Sequence, residues 1–230
     1  MGKILSIDTA TEICSVALGI DGALYDKMEA AEDRSHAKLL TVLIQDLLQK
    51  NQMDVSELDA IAVSEGPGSY TGLRIGVSVA KGICYAGKFP LIGVSTLQTI
   101  VSGYLQSNTA EPDTVLLPML DARRMEVYYA EYDSALNEII PATPLVIESG
   151  AFEEYKNKTE VVFMGSGAEK CSEVVGLSNA KFVSELPNKA EFMVTLAEAK
   201  LKKKQLADVA YFEPAYLKPF IATQSKKKFF

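Results

Sequence analysis

The densest cluster of chemistry-bearing residues is Ser64 to Gly76, which reads Ser-Glu-Gly-Pro-Gly-Ser-Tyr-Thr-Gly-Leu-Arg-Ile-Gly. It sits between an apolar run, Leu58 to Val63, that reads as a buried strand, and a helical run, Leu73 to Ala86. A Gly/Pro/Ser/Thr loop in that position either cradles a ligand or forms a tight turn into a helix. The segment lacks the parts of the common nucleotide loops. No lysine lies in it, and its glycines at 66, 68 and 72 do not fit Gly-x-Gly-x-x-Gly. His36 is the only histidine, so a zinc site built on two histidines is excluded. Ser69 lies outside any Gly-x-Ser-x-Gly elbow, which leaves Ser69 with His36 as the one nucleophile–base pair to consider.

The helix after the loop carries its own signal. Gly72, Gly76 and Ala80 are spaced four apart, and so are Ser78, Gly82 and Ala86. A glycine inside a helix costs about 1 kcal/mol relative to alanine. A helix that keeps two of them has a neighbour close to its backbone, either the protein's own sheet or another helix, including one from a partner chain. Arg74 and Lys81 exclude a membrane span. The preceding helix, Ser35 to Gln49, has Leu39, Leu40, Leu43, Ile44, Leu47 and Leu48 at helical spacing, and Val42 widens the stripe beyond what one sheet face requires.

Composition narrows the function classes. The 230 residues make one large domain or two small lobes, and 48% hydrophobic content supports a substantial core. A formal charge of −7 argues against strong nucleic-acid binding by this chain alone, because such binding rests on cations meeting phosphates. Lys202 to Lys204 and Lys226 to Lys228 are the basic exceptions and read as solvated surface. Cys14, Cys84 and Cys171 are far apart and form no Cys-x-x-Cys, as in a reducing compartment. With no apolar run of 18 residues and a strand-like start at Lys3, the expectation is a cytoplasmic protein with no membrane partner.

A pattern occurs twice. Lys3 to Ile7 ends in Asp8, followed by a short loop at Thr9 to Glu12, a run from Ile13 to Ile20, the hairpin signal Asp21-Gly22 and a third strand. Val115 to Leu120 ends in Asp121, followed by Ala122-Arg123-Arg124, a run to Tyr132, and a turn at Asp133. Asp8 maps to Asp121 and Asp21 to Asp133 with one residue of slippage. Leu91 to Val94 reads as a strand. Ser95 with Gln98 opens the helix Thr96 to Leu105, and Val161 to Met164 leads into Gly165-Ser166-Gly167. Asn188 reads as the cap of a last helix, Lys189 to Lys203. The expected units are an N-terminal lobe, 1–102, completed by the helix near 189–212, a C-terminal lobe, 103–188, and a tail, 213–230.

Two lobes, each opening with a hairpin whose first strand ends in Asp, is the layout of the α/β actin, Hsp70 and sugar-kinase (ASKHA) fold, in which the hairpin loops grip nucleotide phosphates. Ile7 to Thr11, Gly66 to Gly76, Asp121-Ala122-Arg123 with Glu126-Val127-Tyr128, and Pro214 with Tyr216-Leu217 together resemble the bacterial TsaB family over essentially the whole chain. The 66–76 motif is shared with the catalytic relative TsaD. The resemblance implies a non-catalytic scaffold that dimerises with a TsaD-like subunit, joined by a TsaE-like ATPase. That complex transfers threonylcarbamoyl to N6 of the adenosine beside the anticodon, in tRNAs reading codons that begin with A. It places ATP and metal on the partners and none on this chain.

Several residues carry that expectation. TsaD holds a metal through His-x-x-x-His on its first helix, and here the stretch runs from His36 to Leu40. A nucleotide-gripping hairpin usually has Gly after its Asp, where this chain has Thr9-Ala10 and Ala122-Arg123. Asp8, Thr9, Thr11, Gly66, Gly68, Asp121, Arg123, Gly165 and Gly167 are the expected vestigial cleft. The arginines either fill it, pair with acids or touch a phosphate. Helices 35–49 and 71–86 are the expected partner surface, through His36, Leu39, Leu40, Leu43 and Leu47 on one and Leu73, Gly76, Val77, Ala80 and Lys81 on the other. The same surface implies a weak homodimer. The alternatives are a small ATP-dependent phosphotransferase of this fold and, third, a peptidase.

Overall fold

The computed structural model describes residues 2–30 and 36–218. Ser35, Pro219 and the Lys226–Lys228 run lie outside the described residues.

The repeat in the sequence is a repeat of topology. The first sheet has the order β3-β2-β1-β4-β5, from Lys3–Asp8 (β1), Cys14–Ile20 (β2), Ala23–Ala30 (β3), Ala60–Gly66 (β4) and Leu91–Ser95 (β5). The second has β8-β7-β6-β9-β10, from Thr114–Asp121 (β6), Glu126–Tyr132 (β7), Glu138–Val146 (β8), Glu160–Met164 (β9) and Ala180–Val183 (β10). In each, the opening three strands pair antiparallel and the remaining strands add in parallel to the first. Asp8 and Asp121 end equivalent strands. The Asp21-Gly22 signal forms its turn with both residues at positive φ, 54° and 81°, the backbone a two-residue hairpin with the right twist requires.

Helices cover the sheets because the parallel strands are apolar on both faces. His36–Lys50 (α1) and Tyr70–Gly87 (α2) cover one face of the first sheet. The other face meets the 3₁₀ turn Ala190–Met193 and, after α4 (Ala168–Ser172), the helix α5 (Val194–Lys202). Thr96–Ser107 (α3) packs its apolar side on Leu116, Leu120, Ala130 and Val162 of the second sheet. It runs unbroken through residue 102, so a boundary drawn there falls inside a helix. Ser95 caps α3, its Oγ accepting from the Gln98 N–H at 3.4 Å.

Asn188 does not cap the last helix. Its side chain turns inward to Asp8; Lys189 caps the 3₁₀ turn and Met193 caps α5, neither with a side-chain bond. The residues after Lys189 form that 3₁₀ turn, and Glu191 pairs with Lys27 of β3.

Candidate functional site

The 66–76 motif is a seam between two parts of the same chain. The Ser69 N–H donates to the Ala10 carbonyl at 2.7 Å, and Thr9 Oγ1 donates to the Gly72 carbonyl at 2.8 Å. A Cβ on Gly68 would overlap the Ala10 backbone, one on Gly72 would overlap the Thr9 carbonyl oxygen, and one on Gly76 would overlap Thr9 Oγ1. The glycines are there so that the Asp8–Thr11 loop can lie against α2. Ser69 Oγ accepts from the Gly72 N–H at 3.2 Å, which caps α2.

The second hairpin closes on itself in the same way. The Ala122 N–H donates to Glu126 O, the Arg123 N–H to Asp121 Oδ1, and the Gly167 N–H to Met119 O. Gly165 has φ of 92° and stands where a Cβ would meet Met119 O at 2.6 Å. A phosphate loop works by offering free backbone N–H groups. In this chain the loop amides of Thr9, Ala10, Ser69, Ala122, Arg123 and Gly167 all donate within the protein. These six amides are therefore already engaged and do not point free into the cleft.

The equivalent aspartates have opposite environments. Asp8 is fully buried. Burial pushes its carboxyl up to about 6, against the opposing pull of the Ala10 N–H and the Asn188 amide. It closes a turn through the Ala10 N–H at 3.0 Å. Asp121 is half-exposed. Partial burial is outweighed by Lys170 Nζ at 2.7 Å and by the Arg123 N–H, which hold it below the usual carboxylate range.

A cleft of about 1430 Å³ lies between the sheets. Of the nine residues expected there, Thr11, Gly68, Asp121 and Arg123 line it. Asp8, Thr9, Gly66, Gly165 and Gly167 pack beneath its walls instead. Arg123 and Arg124 have positive φ, 71° and 51°, and are exposed. Among the described residues neither makes an ion pair, and of the two only Arg123 lines the cleft. Ser69 and His36 both line the cleft, but Ser69 caps α2 and His36 Nε2 donates to the Glu12 carbonyl at 3.1 Å. That leaves no nucleophile–base pair formed between them. Among the described residues no three His, Cys, Asp or Glu side chains gather as metal ligands, and no helix is long and apolar enough to cross a membrane. Leu40, at the position of the second histidine, is wholly buried in the core.

The expected partner surface divides in two. Leu40, Leu47, Leu73, Val77 and Ala80 are buried in the chain's own core, and Gly76 faces Thr9. These six are corrected from partner contacts to internal packing, since the apolar stripe that makes a helix is the one its own sheet consumes first. Lys81 is also engaged, donating to the carbonyls of Ala210 and Phe212 at 3.0 and 3.1 Å. His36, Leu39 and Leu43 remain half-buried. The second small-residue stripe, Ser78, Gly82 and Ala86, points outward, and a Cβ on Gly82 would meet no atom within 4 Å. Val42 (48% exposed) and Tyr85 (85% exposed) belong to the same outer surface. A groove of about 440 Å³ runs between Ala37 of α1 and Tyr70, Arg74, Ser78 and Val79 of α2.

Sequence reasoning missed Asn188 as the partner of Asp8. Nothing local signals a contact between residues so distant in the chain. It also expected helix near 189–212, where α5 ends at Lys202, and gave residues 213–218 only the place of a tail, although Pro214 and Tyr216-Leu217 stood out in the sequence.

The geometry defines a duplicated two-lobed α/β protein of the actin, Hsp70 and sugar-kinase class, with both hairpin loops closed by internal bonds. A ROK family protein from Streptococcus pneumoniae TIGR4 shares the fold alone, at a TM-score of 0.51 and 10% identity over 88% of this chain and 99% of that one. A crystal structure from Pseudomonas aeruginosa, described as an uncharacterized protein with similarity to peptidase YEAZ, matches at a TM-score of 0.83 and 27% identity over 95% and 100%. The sequence model described as TsaD, tRNA N6-adenosine threonylcarbamoyltransferase, matches residues 29–222. The tRNA threonylcarbamoyladenosine biosynthesis protein TsaB of Escherichia coli (strain K12) is 34% identical over 227 residues, with 96% of each chain covered. The chain belongs to the TsaB family.

Proposed function

We propose that this chain acts in the threonylcarbamoyl modification of tRNA adenosine as a non-catalytic subunit that dimerises with a TsaD-like transferase through the outer face of α1 and α2. The observation that carries this reading is the asymmetry of α2. Its inward glycines are explained by Thr9. Gly82 costs the helix about 1 kcal/mol with no internal contact to account for it. A glycine whose Cβ direction is open suits a second helix backbone approaching closely. Val42, Leu39, Leu43, Ile75, Val79 and Tyr85 supply apolar surface around it.

The absence of catalysis is supported by the spent loop amides, the leucine at position 40 and the separate engagements of Ser69 and His36. On this reading ATP and metal chemistry reside in the TsaD-like and TsaE-like partners, and the complex works in the cytoplasm. Co-purification with the TsaD-like protein of the same cell tests it. A 1:1 complex is expected, and it is expected to be lost on Gly82→Arg. The phosphotransferase alternative predicts instead that ATP binds the isolated chain at micromolar concentration in a calorimetric titration.

A further inference from the structure

Residues 207–218 leave α5 and cross the molecule from the first sheet to the second. Ala207 pairs with the edge of β5, its N–H donating to Leu91 O at 2.8 Å. Lys81 of α2 holds the carbonyls on either side of Tyr211. Phe212, partly buried, packs against the core of the first sheet. The Ala215 N–H then donates to Glu65 O at 2.7 Å, at the end of β4. Gly66 gives the segment room, because a Cβ there would stand 3.1 Å from the Ala215 carbonyl oxygen. Beyond this point the segment enters the cleft. Tyr216 lies against Tyr70 of α2, ring centroids 4.9 Å apart. Lys218 reaches β7 of the second sheet, where it pairs with Glu126 at 2.5 Å and sits 5.1 Å from the Tyr128 ring centroid.

We propose that residues 207–218 are a latch that holds the two lobes together across the cleft, with Tyr216 and Lys218 as its fastening groups. The segment is anchored at four points on the first sheet and its helices, at Leu91, Lys81, Glu65 and Tyr70. Among the described residues its ion pair and its cation–π contact with the second sheet come from one side chain, Lys218. That asymmetry makes the Lys218 end the one that releases. A molecule that reaches this end of the cleft meets Tyr216 on the Tyr70 face and Leu217 in the cleft wall. The latch also runs over Lys81, on the helix whose outer face remains open, so what docks on α2 and what opens the cleft share a physical connection.

The test is a charge swap read by distance. Cysteines introduced at the exposed positions Glu12 and Glu169 carry spin labels on the two lobes, while the three native cysteines are buried and stay unlabelled. The full-length protein is expected to give one narrow distance population. Lys218→Glu or Glu126→Lys alone is expected to raise a longer, open population about fivefold, the scale of one half-exposed ion pair with one cation–π contact. The double swap is expected to restore most of the narrow population, because the ion pair returns while the cation–π contact with Tyr128 does not. Tyr216→Ala is expected to open the cleft without touching the charges. Unchanged distances in the single variants and in Tyr216→Ala, or a double swap that stays open, would overturn the latch.

Discussion

Asn188 donates its side-chain amide to the carboxylate of Asp8, joining the loop before the last helix to the end of the first strand, 180 residues apart. Both groups are buried, and Asn188 Oδ1 has no partner. Asp8 lies beneath the cleft wall, spent on the Ala10 turn and on Asn188. The contact is structural, and it buries an acid without a countercharge.

That burial sets a pH dependence. The Asp8 carboxyl is raised to about 6 in the folded protein, against roughly 4 in an unfolded chain. The folded state therefore binds the extra proton between those values. The stability associated with the neutral form is fully present below roughly pH 4 and is lost as pH rises through about 6. Asp8→Asn keeps the neutral shape, and its amide can donate to Asn188 Oδ1 once the Asn188 amide rotates. It is expected to stabilise the protein at pH 7.5 by on the order of 2 kcal/mol and to flatten the pH profile between 4.5 and 7.5. Urea unfolding of both proteins at the two pH values measures this. A wild-type profile parallel to that of Asp8→Asn contradicts the assignment.

The three helix glycines should separate by what their Cβ meets. Gly72→Ala drives a methyl into the Thr9 carbonyl, which cannot move without the β1 loop, so a loss of about 3 kcal/mol is expected. Gly76→Ala meets only Thr9 Oγ1, so its loss should be smaller and should largely vanish in a Thr9→Ala background. Gly82→Ala meets nothing and is expected to stabilise the isolated chain by up to about 1 kcal/mol. Thermal melts of the three variants rank them. Equal effects at 76 and 82 would remove the distinction between inner and outer stripe.

Much of this was legible in sequence. The duplicated strand–Asp–hairpin pattern gave the two sheets because turn chemistry at Asp21-Gly22 and the apolar β1 and β6 runs are local signals. The spacing of small residues on α2 announced a close neighbour. It did not say which stripe met the sheet, since Gly72-Gly76-Ala80 and Ser78-Gly82-Ala86 have the same period. Only the position of Thr9, set by long-range packing, decides that. Leu40 and Leu47 misled for a related reason. Apolar helix positions look alike whether they meet a partner or the chain's own strands, and the core takes the strongest of them. The Asn188 contact and the path of residues 207–218 depend on pairs brought together by the whole fold, which no local pattern encodes.

The isolated chain is expected to neither bind nor turn over ATP. Six of its loop amides are already bonded, and of the cations that line the cleft, Lys218 is paired with Glu126 and Arg123 is carried on an exposed loop. Calorimetric titration with ATP and magnesium should give no heat of binding. Turnover that disappears in Asp8→Ala would instead restore the phosphotransferase reading.

The partner surface is best tested where the helix is open. Gly76→Arg is a poor probe, because a long side chain there strikes Thr9 and unfolds the protein whether or not a partner exists. Gly82→Arg adds its side chain to open space, so circular dichroism should report a folded chain. If α2 crosses a partner helix closely, the same substitution places a cation at the crossing and should weaken the complex with the TsaD-like protein at least tenfold, about 1.4 kcal/mol. Val42→Glu tests α1 by burying an unpaired charge at the same interface, with a similar loss expected. A surface shaped for a related helix pair also meets its own copy, so a weak two-fold homodimer is expected in the free chain. Light scattering should show that homodimer convert to a heterodimer as the TsaD-like subunit is added, and neither species should form with Gly82→Arg. Wild-type affinity in both folded variants would move the interface off α1 and α2.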